Sequence, residues 1–163
     1  MKKTMYFIAF FAVLIISVSA HTGRVSEAAK GYNAPLFELT TDSDSTFSLA
    51  DMKGRYVLLT LWNSENPGSR IDVNRYQAFA RNADKERFCL LSVNFDRSER
   101  LFREIVRMDN LSAESQFNVQ GAKAREIAQS YNLSAGYNAY LIDPVGKIVA
   151  VNPSDSMLAS IIN

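Results

Sequence analysis

Two hydrophobic periods take turns along this chain. Tyr56 to Trp62 and Phe88 to Phe95 are nearly continuous apolar runs, the pattern of strands covered on both faces. Between them Val73, Tyr76, Ala80 and Ala83 recur at helical spacing, and Ile71 and Phe79 are expected to widen that face. Asn66 suits the N-cap of this helix and Pro67 its first turn. The succession strand–helix–strand favours a parallel crossover. Ser98 to Met108 reads as a second helix, with Leu101, Phe102, Ile105 and Val106 on its apolar side. Gln116 to Val119 reads as a short strand. Ala122 to Tyr131 reads as a third helix, with Ala124, Ile127, Ala128 and Tyr131 on one face. Ala139–Ile142 and Lys147–Val151 flank Asp143-Pro144-Val145-Gly146, a type I turn signal, and read as a hairpin. Ser156 to Ile162 closes the chain as a short helix. Upstream, Pro35–Leu39 and Phe47–Leu49 surround an Asp- and Ser-rich turn and read as an N-terminal hairpin. Asp42 and Asp44 read as a solvated turn, because no further calcium ligands follow at loop spacing.

The first residues break both periods. Lys2 and Lys3 precede an apolar stretch from Met5 to Val18, and Val18-Ser19-Ala20 has the small residues of a cleavage site. Residues 1–20 therefore read as a signal peptide, too short for the roughly 20 apolar residues of a membrane span. No cysteine follows Ala20, so a lipoprotein signal is not expected. The alternative is an uncleaved N-terminal anchor; both place the folded part in an exported compartment, expected to be a bacterial periplasm or cell envelope. Residues 21–34 are polar and small and read as a flexible leader; residues 35–163 read as one domain. The formal charge is +1, and −1 without Lys2 and Lys3, which argues against nucleic-acid binding through a basic surface. No second hydrophobic segment appears, so membrane contact is expected only through an uncleaved signal segment.

Chemistry-bearing residues are few. Cys89 is the only cysteine, so no intramolecular disulfide can form. Inside an apolar strand it reads as a small buried hydrophobe, with a reactive thiol as the alternative. His21 is the only histidine, which excludes histidine triads and multi-histidine zinc sites. It reads as part of a solvated tail rather than a copper ligand. No metal site and no cofactor motif is expected.

Local motifs add a resemblance. Met52-Lys53-Gly54-Arg55-Tyr56-Val57-Leu58-Leu59 is similar to the Lys-Gly-Lys and apolar strand ahead of the active site in exported thiol–disulfide oxidoreductases of the cytochrome-maturation type. The same motif occurs in alkyl hydroperoxide reductase/thiol-specific antioxidant proteins. Tyr140-Leu141-Ile142-Asp143 with Gly146-Lys147-Ile148 resembles their last hairpin, and Tyr131-Asn132-Leu133 resembles their Tyr-Xaa-Val. The resemblance covers roughly Pro35 to Val151 and implies an α/β thioredoxin-like fold. That fold has a central mixed sheet, helices on both faces and an N-terminal β-hairpin.

What the resemblance implies for chemistry is a loss. Relatives carry Trp-Cys-Xaa-Xaa-Cys at the junction that here reads Trp62 to Arg70, and Asn66 and Ser69 stand at the two cysteine positions. Thiol–disulfide exchange needs a thiolate, which neither residue supplies. Relatives also carry a cis proline where this chain has Tyr137. A cis bond before tyrosine costs roughly 3–4 kcal/mol, so a trans peptide is expected. Asn66, Ser69 and Tyr137 are thus degenerate active-site positions, and Trp62, Glu65 and Arg70 are candidate binding residues beside them. Simpler readings stand next to each. Trp62 packs the core, Ser69 is a helix-surface serine, Arg70 pairs with Glu65, and Tyr137 fills vacated space. The helix N-terminus could accept an anion, which Glu65 opposes. The expected function is an exported thioredoxin-like domain without dithiol activity, binding or scaffolding an unidentified protein or peptide partner. The alternatives are a one-thiol reductase or peroxidase using Cys89, and an accessory subunit.

Overall fold

The computed structural model describes residues 28–40 and 46–162. The expected signal peptide, His21 and the Asp42–Asp44 turn lie outside the described residues. Glu38–Thr40 (β1) pairs antiparallel with Thr46–Ser48 (β2), as the alternation predicts. Ser48 then caps a 3-10 turn over Leu49–Met52, and Asp51 returns a bond to the Ser48 N–H at 3.1 Å. Tyr56–Trp62 (β3) leads into the helix Pro67–Asn82 (α1) and on to Phe88–Asn94 (β4). Glu99–Met108 (α2), capped by Ser98, is followed by Gln116–Asn118 (β5) and Gly121–Ser130 (α3). Ala139–Ile142 (β6) and Ile148–Val151 (β7) form the last hairpin, and Asp155–Ile162 (α4) closes the chain.

The main sheet has the order β5-β4-β3-β6-β7. β3 lies at its centre, parallel to β4 and antiparallel to β6. Two buried faces explain the continuous apolar runs. Val57, Leu59 and Leu61 face Phe37, Leu49, Ile127 and Tyr131 on the side of the first hairpin and α3. Leu58 faces Tyr76 of α1 and Leu158 and Ile162 of α4 on the other. Trp62 extends this second layer, packing with Val73 of α1 and with Phe102 and Ile105 of α2. Each such fully buried side chain stabilises the fold by about 1.5–3 kcal/mol. Helices therefore cover both faces, and every expected element is present, most within a residue of its expected bounds and the first strand starting three residues later, at Glu38.

Two expectations need correction. Ile71 is not on the apolar face of α1; it is 68% exposed. At 100° per residue it lies 200° from Val73, on the opposite side of the helix. Residues 28–34, read as part of a flexible leader, are docked. The Gly31 N–H donates to the Ile148 carbonyl at 2.8 Å, and the Ile148 N–H to the Tyr32 carbonyl at 2.9 Å. Ala34 is buried and its N–H donates to the Gly146 carbonyl at 2.9 Å. This segment satisfies the outer edge of β7, whose backbone groups would otherwise face solvent.

Candidate functional site

The end of β3 and the start of α1 meet at a turn closed by its own side chains. Asn66 is extended (φ −100°, ψ 103°) and its Oδ1 accepts the Ser69 N–H at 2.8 Å. This is N-capping in the position the sequence predicts. The Ser69 Oγ accepts the Asn63 N–H at 3.2 Å and donates to the carbonyl of Asn63 (3.2 Å) or Asn66 (3.1 Å). Ser69 is buried, which corrects its reading as a surface serine. The cap draws residue 69 under the turn, where its hydroxyl substitutes for missing backbone partners. Among the described residues all partners of this hydroxyl are backbone groups, and no base there activates it as a nucleophile. Asn63 Oδ1 accepts the Glu65 N–H at 2.9 Å and completes the turn.

The flanking residues sort differently from expectation. Arg70 does not pair with Glu65; it forks onto Asp109, through Nε to Oδ2 at 2.7 Å and Nη2 to Oδ1 at 2.6 Å. Asn74 Nδ2 adds a third bond to that carboxylate at 3.1 Å. The Arg70 hydrogen bonds hold the Asp109 carboxyl below its ordinary range, against a smaller opposing effect of burial. Asp109 follows the last residue of α2, so this pair ties α2 to α1. Trp62 is wholly buried against Phe102, with ring centroids 6.1 Å apart, and offers no surface to a ligand. Glu65 and Asn66 are exposed.

Tyr137 belongs to the loop that enters β6. The Gly136–Tyr137 peptide is trans. The Asn138 carbonyl accepts the Leu61 N–H at 3.1 Å, which holds the loop against β3. The Tyr137 ring is half-buried and packs against Phe95, centroids 6.1 Å apart. Burial raises its phenol pKa, and the Asp96 and Glu65 carboxylates raise it further. These rings and carboxylates line a cleft of about 580 Å³ together with Asn63 and Arg97.

Asp96 and Phe95 were not singled out by sequence. The available signal was position alone: they follow a parallel strand at its carboxyl end, where open α/β sheets place ligands. Asp96 is 3% exposed. Its Oδ1 accepts the Ser64 N–H at 2.8 Å, and its N–H donates to Asn94 Oδ1 at 3.0 Å. Its Oδ2 has no partner among the described residues.

Cys89 lies at the other end of β4. It is half-buried rather than sealed in the core, because β5 pairs only with Ser92–Asn94 and leaves the first half of β4 without an outer neighbour. Burial raises its thiol pKa, and Arg55 opposes that shift only in part. Arg55 is the cation that acts on Cys89. Among the described residues no group of three metal-ligating side chains stands together, and no helix is long and apolar enough to cross a membrane.

Comparison with known proteins matches this architecture. The profile of the AhpC/TSA family matches residues 31–151. The thioredoxin domain of a thiol-disulfide oxidoreductase from Bacteroides vulgatus shares 27% identity at a TM-score of 0.73, covering 84% of this chain and 100% of that one. A thiol:disulfide interchange protein from Bacteroides sp. shares 25% identity at a TM-score of 0.71, covering 82% and 88%. A thioredoxin-like protein from Parabacteroides distasonis has the same fold, at 24% identity, a TM-score of 0.71 and coverage of 84% and 96%. No curated protein matches the chain.

Proposed function

This chain belongs to the AhpC/TSA family, and from that premise we propose that it is an exported, redox-inactive member that binds or scaffolds a protein or peptide partner. The observation that carries the reading is the closed turn at the start of α1. Asn66 and Ser69 are held there by hydrogen bonds to backbone, at the two positions the family resemblance assigns to cysteines. The scaffold that would present a nucleophile is intact, and the sulfur is not there. Cys89 does not substitute for it. Its thiol pKa is raised rather than lowered, and it sits on a different strand from α1's N-terminus. The exposed Asn66 and Glu65, with Tyr137 and the cleft beside them, supply the binding surface. Trp62 supports it from beneath, and Arg70 braces α1 through Asp109.

Export rests on the Lys2–Lys3 and Met5–Ala20 pattern, and N-terminal sequencing of the secreted protein is expected to begin at His21. For activity, the purified protein is expected to leave the rate of insulin reduction by dithiothreitol at the uncatalysed value. Catalysed turnover that Cys89→Ser abolishes would overturn the proposed inactivity.

A further inference from the structure

The cleft beside α1's N-terminus has a chemical character of its own. Two acidic residues line it, the nearly buried Asp96 and the exposed Glu65, with one cation, Arg97. Among the described residues Arg97 is exposed and makes no ion pair. Two aromatic rings, Phe95 and Tyr137, form its wall at a 52° tilt. Four buried polar atoms lack partners among the described residues: Trp62 Nε1, Asn94 Nδ2, Asp96 Oδ2 and Gln116 Oε1. Of their four residues, only Asp96 lines this cleft. A buried carboxylate oxygen without a donor is costly, and a native site that keeps one calls for a physical reason. Aromatic faces next to carboxylates attract ammonium groups through both the ring quadrupole and the full charges.

We propose that this cleft recognises a primary ammonium group on an alkyl chain, the lysine side chain of a partner peptide, with Asp96 and Glu65 supplying the counter-charge and Phe95 and Tyr137 the aromatic wall. The inference rests on the reading of this region as a binding surface and gives that surface a ligand class. The volume suits a side chain and some flanking backbone, being in the usual range for small-ligand sites. The Tyr137 phenol stays protonated and neutral at physiological pH, so the wall adds no third negative charge. Arg97 is the one group on the rim that opposes a cation.

The test uses three blocked amino acids, N-acetyl-lysine amide, N-acetyl-norleucine amide and N-acetyl-glutamate amide, titrated into ¹⁵N-labelled protein. Lysine amide is expected to shift the Ser64, Asp96 and Tyr137 amides saturably and to bind at least tenfold tighter than norleucine amide. Glu65→Gln is expected to weaken lysine binding several-fold, and Asp96→Asn to remove the preference over norleucine. Because Asp96 also holds Ser64, Glu65→Gln and Arg97→Ala keep the test independent of any disturbance there. Arg97→Ala is expected to strengthen lysine binding about twofold by removing a like charge. The inference is overturned if norleucine and lysine amides bind equally, if glutamate amide binds better, if Arg97→Ala weakens lysine binding, or if none of the three shifts the cleft. The insulin assay decides redox inactivity separately. Norleucine binding without a lysine preference would keep a binding surface while removing its cation specificity.

Discussion

Cys89 and Asp96 stand near opposite ends of one strand, and the contrast between them accounts for much of this molecule. The N-terminal end of β4 has the chain's only thiol and nothing that activates it: burial raises its pKa and Arg55 offsets that only partly. The carboxyl end has an open cleft, a helix N-terminus and a buried carboxylate, and no thiol. Reactivity in this fold depends on a nucleophile standing where the sheet's carboxyl edge meets a helix start. Here the residue and the place are separated by the length of β4, and the proposed redox inactivity rests on that separation.

That contrast can be broken most severely from below. Trp62→Ala removes the floor shared by α1 and α2 and is expected to lower stability by about 3–5 kcal/mol in urea unfolding. A loss below about 1 kcal/mol would mean that Trp62 does not support this end of the sheet. Asp109→Ala is expected to cost about 1–2 kcal/mol, since a forked, partly shielded pair exceeds an ordinary surface ion pair. Its pH dependence has a definite sign. The folded-state pKa of Asp109 is depressed, so its contribution is present above the unfolded value of about 3.9 and is lost as pH falls through the folded value. The stability gap between the native chain and Asp109→Asn should therefore narrow below about pH 4; a gap that widened on acidification would refute the assignment.

Smaller changes probe the turn and the thiol. Asn66→Ala is expected to cost about 1 kcal/mol, whereas Asn66→Asp keeps the cap and costs much less. The double change Asn66→Cys and Ser69→Cys puts thiols one helical turn apart. It is expected to form an internal disulfide on mild oxidation, seen as loss of titratable thiol. Full retention of free thiols would contradict the geometry of the turn. Insulin turnover by that variant is expected to be partial, because Tyr137 still shapes the facing loop. The smallest effect belongs to Cys89. Its maleimide labelling at neutral pH should be slower in the folded protein than in urea, and Arg55→Gln should slow it slightly more by removing the cation that favours thiolate. Fast labelling of the folded chain would restore Cys89 as a candidate catalytic thiol.

How legible each part was follows from the range of the interaction that forms it. The Asn66 cap, the Pro67 helix start and the Asp143–Gly146 turn are visible in the sequence because each depends on residues within one turn of the chain. The apolar runs of β3 and β4 announce two-sided burial for the same reason. Ser69 was misread because its burial depends on how the cap folds the chain back over it, and spacing along α1 does not carry that information. Arg70 was assigned to Glu65, its near neighbour, whereas its partner lies 39 residues away.

By itself, then, the sequence determined the order of strands and helices, the thioredoxin-like frame and the lack of a cysteine pair. Local periodicity, capping chemistry and residue identity carry all three. Only the tertiary structure decided that Arg70 holds Asp109, that β5 stops short of Cys89, and that Phe95, Asp96 and Tyr137 converge on one cleft. Those contacts join segments brought together by sheet order and loop placement, and no short-range pattern along the chain encodes which distant groups will meet.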